Sequence, residues 1–362
     1  MRSTVQVNRS DLSESRIVSA EPAPLADGAV RLGIDSFSVT ANNVTYAVVG
    51  DAFGYWNFFP GVENIGDEWG VVPMWGHATV VASNHPAIAV GERVYGFLPM
   101  GDGLDVVPGD VTPGGFSDTA VHRQPMSPIY NQYSRLAADL EHDPAREAER
   151  MIFGPLFKTG FLIESMMRGA SWFGAEALVC TSASSKTAMA TASVARDKSP
   201  QIRRIGLTST GNVEFVRSAG FYDTVMAYDQ IGDLPQVPSV FVDFAGNAEL
   251  IHAVHSALDN RLKYSSTVGA THVGAGFGRD TGDLPGPKPV LFFAPDHAMA
   301  SIKELGPKVF GAAVAASWQR FIGETPDAVS VDQRSGLATA FQAFAAILKG
   351  EADPAVGIVI RP

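Results

Sequence analysis

The chain of 362 residues contains a single cysteine, Cys180, and this scarcity excludes two structural devices. One cysteine cannot form an intramolecular disulfide, and it cannot supply the four thiolates of a structural zinc lobe. Basic residues are also few, since 27 Lys and Arg stand against 38 Asp and Glu for a net charge of −11. A protein with this acidic balance is not expected to bind nucleic acid or an anionic membrane surface.

Long apolar runs are absent as well. No run approaches the ~18 residues that a membrane-spanning helix needs, and the first ten residues lack the hydrophobic segment of a signal peptide. We therefore expect a cytoplasmic location. What is present, 46% hydrophobic and 18% charged residues, is typical of a globular protein with a large core, and the length suffices for two domains.

A strand, a small-residue turn and a helix follow one another from residue 177. The apolar run 177–180 predicts a buried parallel strand, 181–185 a polar turn, and the Ala-rich segment 186–195 a helix. A second strand, 204–208, begins roughly 25 residues after the first, the spacing of a βαβ unit that binds a dinucleotide. Further strands and helices alternate to residue 270. This order predicts an α/β fold with a Rossmann-type, doubly wound parallel sheet.

The turn lacks the glycines of the G-x-G-x-x-G fingerprint. It offers instead small side chains, hydroxyl groups and one lysine at a helix N-terminus, where free backbone N–H groups attract anions. We predict that a pyrophosphate lies against Ser182, Ala183, Ser184, Ser185, Lys186 and Thr187. The competing interpretation is an ordinary polar turn with a solvated lysine.

The residues after the second strand indicate which nicotinamide cofactor is bound. An acidic side chain there holds the ribose 2′-OH of NAD, whereas hydroxyl and basic groups hold a 2′-phosphate. Between the end of this strand at Thr208 and Glu214 there is no carboxylate, and Ser209, Thr210 and Asn212 can donate hydrogen bonds. The sequence therefore favours NADP(H), with Arg203 or Arg204 as a further source of charge.

Motifs on both sides of this unit carry a family resemblance. Residues 30–43 are similar to an early strand and active-site turn, Trp75-Gly-His-Ala78 to a Gly-His strand, and Gly91-Glu-Arg-Val-Tyr-Gly96 to a Gly-Asp-Arg-Val-x-Gly signature. Residues 340–360 are similar to a closing helix and strand. The ordered set resembles the medium-chain dehydrogenase/reductase superfamily, on its zinc-free, quinone-oxidoreductase-like side. The Ser-Ala-Ser-Ser-Lys-Thr loop resembles the DUF2855 family, whose name carries no activity.

The resemblance implies two domains. Residues 1–152 with 305–362 would form a mostly β, GroES-like catalytic domain, and residues 153–304 a Rossmann-type dinucleotide-binding domain. Between them, residues 135–151 predict an exposed helix that Gly154-Pro155 ends, and residues 156–167 predict a new helix.

Further cofactor contacts are implied by the resemblance at the start of this second helix and at later strand ends. They are Thr159, Tyr228, Phe244, Ala245, Gly246, Val268, Gly269, Ala270 and Phe292. Two purely structural interpretations stay open: Asp243 could be a turn residue at the end of its strand, and Phe292 could be part of the core.

The expected chemistry depends on residues 40–56. Zinc-bearing relatives place a cysteine near Thr40 and a glutamate after the position of His77, where this chain has Ala78, so no catalytic zinc is expected. His77 is then expected to be a hydrogen-bonded core or interface histidine. Without a metal, hydride transfer needs another donor at the developing oxyanion. The candidate catalytic residues are Tyr46, Asn43, Tyr55 and Lys158.

An aromatic group beside these candidates, Phe53, Tyr55, Trp56, Phe58 and Phe59, is either core or a dry substrate pocket. The resulting hypothesis is a metal-free, NADPH-dependent reductase of a small apolar enone, quinone or ketone. The alternatives are a non-catalytic NADP(H)-binding or sensing protein on the same fold and, more remotely, a lyase or isomerase. A homodimer is left open.

Overall fold

The computed structural model describes residues 1–61, 66–268, 283–325 and 329–362. Internal contacts divide the chain into two compact units. The first unit consists of Met1–Ile152, Val331–Ala352 and Val356–Pro362, and the second of Phe153–Ser330 and Asp353–Ala355. Residues 305–330 thus group with the second unit, whereas the sequence resemblance assigns them to the first.

The first unit is built mainly from β-strands. Those before residue 152 are β1 (Arg2–Asn8), β2 (Ser15–Ala20), β3 (Val30–Val39), β4 (Trp69–Gly70), β5 (Pro73–Ser83), β6 (Arg93–Pro99), β7 (Gly103–Val106), β8 (Pro108–Thr112), β9 (Gly115–Asp118) and β10 (Gln132–Arg135). Helix α1 (Ala41–Val48) follows β3, where the sequence predicted a turn. The Asn43 side chain explains this helix, because its Oδ1 accepts the Thr40 N–H at 2.6 Å and so caps the first turn.

The linking helix differs from its prediction. Residues 136–146 form only short 3₁₀ turns, and one helix, α2 (Glu147–Gly169), runs through Gly154-Pro155 without ending there. Pro155 has no N–H for the carbonyl of Met151 one turn earlier. The buried Ser38 hydroxyl donates to that carbonyl instead, at 2.6 Å. The predicted break is therefore wrong, because a side chain on β3 replaces the missing donor.

The second unit alternates strands and helices. Its elements after α2 are β11 (Ala177–Cys180), α3 (Lys186–Lys198), β12 (Arg203–Thr208), α4 (Val213–Ala219), β13 (Thr224–Ala227), β14 (Ser239–Asp243), α5 (Ala248–Leu258), β15 (Leu262–Thr267), β16 (Val290–Leu291), α6 (Ala294–Leu305) and α7 (Pro307–Glu324). The strands pair in parallel in the order β13-β12-β11-β14-β15-β16. The predicted Rossmann-type sheet is confirmed, with its first strand at the predicted residues.

The C-terminal residues return to strand and helix, as predicted. They form β17 (Ser330–Ser335), α8 (Leu337–Leu348) and β18 (Val356–Arg361). β18 pairs antiparallel with β3 and thereby joins the large sheet of the first unit. Phe344 of α8 is fully buried in the same hydrophobic core as Phe37 of β3.

Two sheets make up the first unit in the part of the chain that the structure describes. The smaller has the order β2-β1-β4, and the larger runs β17-β18-β3-β5-β6-β10-β9-β8, with β7 also on β3. In the antiparallel pairing of β5 and β6, Trp75 lies opposite Phe97, His77 opposite Tyr95, and Thr79 opposite Arg93. These six side chains share one face of the sheet, since alternate strand residues point the same way. No helix within the described ranges is long and apolar enough to cross a membrane.

Candidate cofactor and active sites

The turn after β11 is fixed by hydrogen bonds from two of its backbone N–H groups. Ser182 has a positive φ of 44°, and its N–H donates to the Tyr228 hydroxyl at 3.0 Å. The Ala183 N–H donates to the Leu207 carbonyl at 3.0 Å. Of the residues predicted to hold a pyrophosphate, these two have committed their amides to the protein. Tyr228, predicted as a cofactor contact, orders the turn from the side.

The start of α3 has the free donors that an anion site requires. The Ser185 side chain caps the helix by accepting from the Ala188 N–H at 3.3 Å. The backbone N–H groups of Ser184, Lys186 and Thr187 make no hydrogen bond within the described part of the chain. Such amides at the positive end of a 13-residue helix suit a phosphate group.

A glycine in the neighbouring strand makes room for this turn. A Cβ on Gly206 of β12 would lie 2.8 Å from the Cβ of Ala183 and 2.9 Å from the Tyr222 ring. The Tyr222 hydroxyl in turn donates to the Ala183 carbonyl at 3.2 Å. The close backbone approach that the fingerprint glycines provide in other dinucleotide folds is thus helped here by a glycine in the next strand.

Lys186 is held rather than mobile. Its ammonium donates to the carbonyl of Pro354 at 3.2 Å, within the second unit. Burial lowers the pKa of this ammonium to about 8, although Asp353 opposes the change. The side chain thus joins the turn after β11 to residues 353–355 and is neither solvated, as the competing interpretation had it, nor mobile; it is a cation that loses its charge at mildly alkaline pH.

The turn after β12 has the hydroxyl groups expected for a 2′-phosphate. Ser209 and Thr210 are exposed, and the Asn212 amide donates to the Ser184 hydroxyl at 3.3 Å, so the two turns touch. Arg203 and Arg204 do not add charge here. They lie at the opposite end of β12, where Arg203 donates to Thr224 and Arg204 pairs with Asp223.

The turn after β14 is built around Asp243. The Thr181 hydroxyl donates to this buried carboxylate, as do the N–H groups of Ala245 at 3.2 Å and Gly246 at 2.9 Å. The Phe244 N–H donates to the Thr181 hydroxyl at 3.0 Å. This supports the interpretation of Asp243 as a turn residue, and it places the ends of β11 and β14 side by side.

The remaining predicted cofactor contacts are scattered over the second unit. The Val268 N–H donates to the Asp243 carbonyl at 2.8 Å. Phe292 is buried and stacks on His297 with ring centroids 4.2 Å apart. Thr159 donates back to the Pro155 carbonyl within α2, beside the half-buried Lys158. Gly269 and Ala270 lie outside the described residues.

In the first unit, the Tyr46 hydroxyl has a particular arrangement of partners. It accepts hydrogen bonds from the indole Nε1 of Trp75 at 3.2 Å and the Asn42 amide nitrogen at 3.4 Å. Indole N–H is a donor only, so the Tyr46 O–H keeps its own hydrogen for an outside acceptor. Burial raises the pKa of Tyr46 well above its ordinary value. Tyr46 is therefore a neutral hydrogen-bond donor.

The other tyrosine candidate shares this cluster but is paired. Tyr55 lies 4.6 Å from Tyr46 between ring centroids, and its hydroxyl hydrogen-bonds that of Tyr130 at 2.8 Å. Burial raises the pKa of Tyr55 to about 12. Asn43 is occupied as well, because its amide nitrogen donates to the Pro73 carbonyl at 2.8 Å while its oxygen caps α1. Tyr46 differs from both, because two side chains donate to its oxygen and its own hydrogen stays available.

The predicted aromatic group divides between two clusters. Tyr55, Phe58 and Phe59 pack with Tyr46, together with Phe97 and Tyr130, in one buried cluster. Trp56 belongs instead to the main core, where Gly50 and Gly70 leave room for its indole. Phe53 is 36% exposed.

His77 is buried, as expected, but the hydrogen bonds predicted for it are not seen. Neither of its ring nitrogens has a partner among the described residues. Burial is the main cause that lowers the pKa of His77 to about 3, so the ring is neutral. Within the described ranges, no three His, Cys, Asp or Glu side chains are grouped as metal ligands would be.

A cavity of about 390 Å³ in the first unit lies apart from these residues. Arg9 stands over the Trp56 ring there, 5.6 Å from its centroid. The lining residues are Arg9, Trp56, Asn57, Pro60, Gly66, Asp67, His122 and Pro125. Trp56 is the one member of the predicted aromatic group among them, and none of the candidate catalytic or cofactor-binding residues lines this cavity.

Several residues of these sites were missed from the sequence. Gly206 carried a usable signal, since an isolated glycine inside a strand often marks a close backbone approach. Trp75 and Tyr130 carried none. They lie 29 and 84 residues from Tyr46 in sequence. The pairing of β3 with β5 sets Trp75 opposite Ser38, just before the helix that carries Tyr46, and Tyr130 reaches the Tyr46 ring from a later turn.

Comparison with solved structures identifies the class of fold. CurA from Vibrio vulnificus, crystallised in complex with NADPH, superimposes with a TM-score of 0.60 at 16% identity over 100% of this chain and 99% of CurA. The CurK enoyl reductase gives 0.58 at 12% over 99% of both chains. A putative NADPH:quinone reductase from Bacillus thuringiensis gives 0.59 at 11% over 100% and 99%. At 11–16% identity these likenesses show a shared fold, and the fold that the sequence resemblance implied is thus confirmed.

The sequence itself places the chain in a family. Residues 37–353 match the family described as protein of unknown function DUF2855, and the chain belongs to that family. No curated protein matches the sequence significantly. The predicted resemblance to DUF2855 is confirmed.

Proposed function

We propose that this protein is a metal-free, NADPH-dependent reductase of a small, apolar enone, quinone or ketone. The observation that carries the proposal is the Tyr46 hydroxyl, which accepts from Trp75 and keeps its own hydrogen for a substrate oxygen. The free amides at the start of α3 and the hydroxyls after β12 add a fitting cofactor site. The names of the structural neighbours, which include NADPH and reductases, point the same way.

The chain's own residues divide the work between holding the cofactor and polarising the substrate. The N–H groups of Ser184, Lys186 and Thr187 would hold the pyrophosphate, and Ser209 and Thr210 the 2′-phosphate. When bound, NADPH supplies a hydride. Tyr46 would donate a hydrogen bond to the carbonyl oxygen and stabilise the negative charge that develops there. The aromatic rings around it exclude water and so strengthen that bond.

A turnover assay tests this function directly. Purified protein is mixed with NADPH and a panel of enones, quinones and ketones, and the absorbance at about 340 nm of the reduced nicotinamide is followed. The proposal expects NADPH oxidation with at least one member of the panel. Tight NADPH binding without oxidation by any of them would contradict catalysis.

That outcome would favour the second candidate, a non-catalytic NADP(H)-binding protein. One observation supports it: Tyr46 is only 7% exposed, so its hydroxyl is largely covered. A sensing protein needs the cofactor site but no access to Tyr46. Turnover with any carbonyl substrate would eliminate this candidate.

Cofactor choice gives a first testable prediction. Thr210→Asp places a carboxylate in the turn after β12, where it would repel a 2′-phosphate and accept from a ribose hydroxyl. We expect wild type to bind NADPH more tightly than NADH, and the variant to lose about tenfold in NADPH affinity, the effect of one charge-assisted contact. Fluorescence titration with both cofactors measures this.

The matched control is Ser218→Asp, which adds the same charge at an exposed position of α4. Equal losses of NADPH affinity in the two variants would mean that the effect comes from net charge and not from a contact in this turn. A wild type that prefers NADH would overturn the assignment of this turn.

The depressed pKa of Lys186 gives a second prediction. The ammonium is charged below its folded pKa of about 8 and neutral above it, so it attracts phosphate only on the acidic side. NADPH affinity should fall about tenfold as pH rises from about 7 to 10, because one charge-assisted contact is lost. Titration of Lys186→Arg should show little of this decline, since arginine stays charged. An equal decline of NADPH affinity in both proteins would mean that Lys186 does not contact the phosphate.

A further inference from the structure

Three polar side chains of the first unit pack against one another in its interior. His77 on β5 lies opposite Tyr95 on β6, with ring centroids 5.1 Å apart. The Arg150 guanidinium, in the first turns of α2, lies 4.2 Å from the centre of the Tyr95 ring. His77 is 0%, Tyr95 5% and Arg150 2% exposed. We refer to His77, Tyr95 and Arg150 as the His77 cluster.

The cluster has polar atoms that the protein does not satisfy. Both ring nitrogens of His77, the hydroxyl of Tyr95, and Nε and Nη1 of Arg150 lack a hydrogen-bond partner among the described residues. Native proteins pair nearly all buried polar atoms. Five unpaired atoms on three touching side chains therefore indicate a place where something else binds.

Arg123 shows that this is not a general property of buried arginine in this unit. Arg123 is also fully buried, yet it donates to Asp118, Asn131, Tyr133 and the Tyr130 carbonyl. The fold can satisfy a buried guanidinium completely. At Arg150 it satisfies one side only, through the ion pair of Nη2 with Asp139.

The chemistry of the unpaired atoms selects the occupant. Arginine nitrogens are donors only, and the tyrosine hydroxyl and one imidazole nitrogen can donate as well, so donors predominate. The acidic neighbours already have partners, since Asp139 pairs with Arg150 and Glu147 with Arg93 and His142. These carboxylates nevertheless repel a doubly charged anion such as phosphate more strongly than a singly charged carboxylate. We propose that the His77 cluster binds a carboxylate group.

The cluster adjoins the proposed catalytic tyrosine. The Trp75 ring stacks on Tyr95 with centroids 5.8 Å apart and donates to the Tyr46 hydroxyl. Trp75 and His77 are alternate residues of β5, about 7 Å apart along one face of the sheet. The carboxylate is therefore either that of a small free anion or one end of the substrate whose carbonyl meets Tyr46. In the second case the substrate is apolar around its carbonyl and acidic at that end. The second source rests on the proposed function, and the first does not.

The test uses the full chain without cofactor and acetate as the probe. Urea unfolding is measured at pH 7 while sodium acetate replaces sodium isethionate, whose bulky sulfonate serves as the reference anion at constant ionic strength. With acetate about tenfold above its dissociation constant, the unfolding equilibrium constant of wild type should fall roughly tenfold. Because neither NADPH nor turnover is involved, failure here is distinct from failure of the reductase proposal.

Two tyrosine variants assign the effect to the cluster. Tyr95→Phe removes only the unpaired hydroxyl, so it should fold and bind acetate about tenfold more weakly, the effect of one hydrogen bond to a charged group. Tyr133→Phe is the control, because its buried hydroxyl already pairs with Arg123 and the Phe97 carbonyl. Its acetate response should equal that of wild type.

The outcomes separate cleanly. Equal effects of acetate and isethionate on wild type, or an undiminished acetate response in Tyr95→Phe, would overturn the proposal. A carbonyl substrate identified in the NADPH assay then distinguishes the source. Acetate that competes with this substrate would place the carboxylate on the substrate, and acetate that stabilises without competing would assign the cluster to a free anion.

Discussion

Replacement of Tyr46 by phenylalanine is expected to lower kcat about 100-fold on any carbonyl or enone that the protein reduces. The variant keeps the aromatic ring that contacts Tyr55 and Phe97, so the packing of the cluster should persist. It loses the hydroxyl hydrogen that Tyr46 can offer to an oxyanion while its oxygen accepts from Trp75. NADPH affinity should not change, because the proposed cofactor contacts lie in the second unit. Steady-state kinetics and a cofactor titration measure both quantities.

Tyr55→Phe is the matched control within the same cluster. Its hydroxyl is paired with that of Tyr130, so its removal should leave kcat within a few-fold of wild type. Wild-type turnover in Tyr46→Phe would mean that another group donates to the substrate oxygen, and Lys158 would be the next candidate. A larger loss in the Tyr55 variant than in the Tyr46 variant would reverse the assignment of the two rings.

Arg123→Met should destabilise the folded protein by about 3–5 kcal/mol, because it leaves the carboxylate of Asp118 buried without its cation. Asp118 is 1% exposed, and its distance to the Arg123 guanidinium is 2.9 Å. For a unit of this size the loss corresponds to a fall of about 10 °C in the unfolding midpoint, which thermal unfolding by circular dichroism detects.

Arg135→Met provides the comparison. Arg135 pairs with Glu92 at 2.6 Å, but both side chains are partly exposed. Solvent screens such a pair, so its loss should cost about 0–1 kcal/mol. Similar midpoints for the two variants would show that the Arg123 pair contributes no more than a surface pair. Because Arg123 also holds the Tyr130 carbonyl at 2.7 Å, its variant should further disturb the ring beside Tyr46.

The parallel sheet was predictable because its signals are local. The run at 177–180 is apolar on every residue, as a strand covered on both faces requires, and the Ala-rich segment after it has no breaker. The linking helix was not predictable on the same basis. Gly154-Pro155 is a strong local signal for an end, and it is overruled by Ser38, more than a hundred residues earlier.

The sites follow the same division. Residue types at strand ends could be named from the sequence, because parallel strands bring their ends together. Which of their atoms are free could not. Ser182 and Ala183 have used their amides, which donate to the Tyr228 hydroxyl and to the Leu207 carbonyl in the next strand. Ser184, Lys186 and Thr187 have no such partner among the described residues. Tyr46 was found from its position, but the bond that frees its hydrogen comes from Trp75.

The hydrogen bond between Ser38 and the Met151 carbonyl has a consequence for how the sequence can vary. A chain with proline at position 155 needs a hydrogen-bond donor at position 38 for the carbonyl of residue 151. A chain with any other residue at 155 has its own amide hydrogen for that carbonyl and does not need the donor. Positions 38 and 155 should therefore change together as members of the family diverge. Threonine is the natural substitute at 38 as long as proline remains, because it keeps the hydroxyl, and an apolar residue at 38 becomes tolerable only after position 155 has changed. The order in which these two substitutions can accumulate is thus constrained by a single carbonyl oxygen.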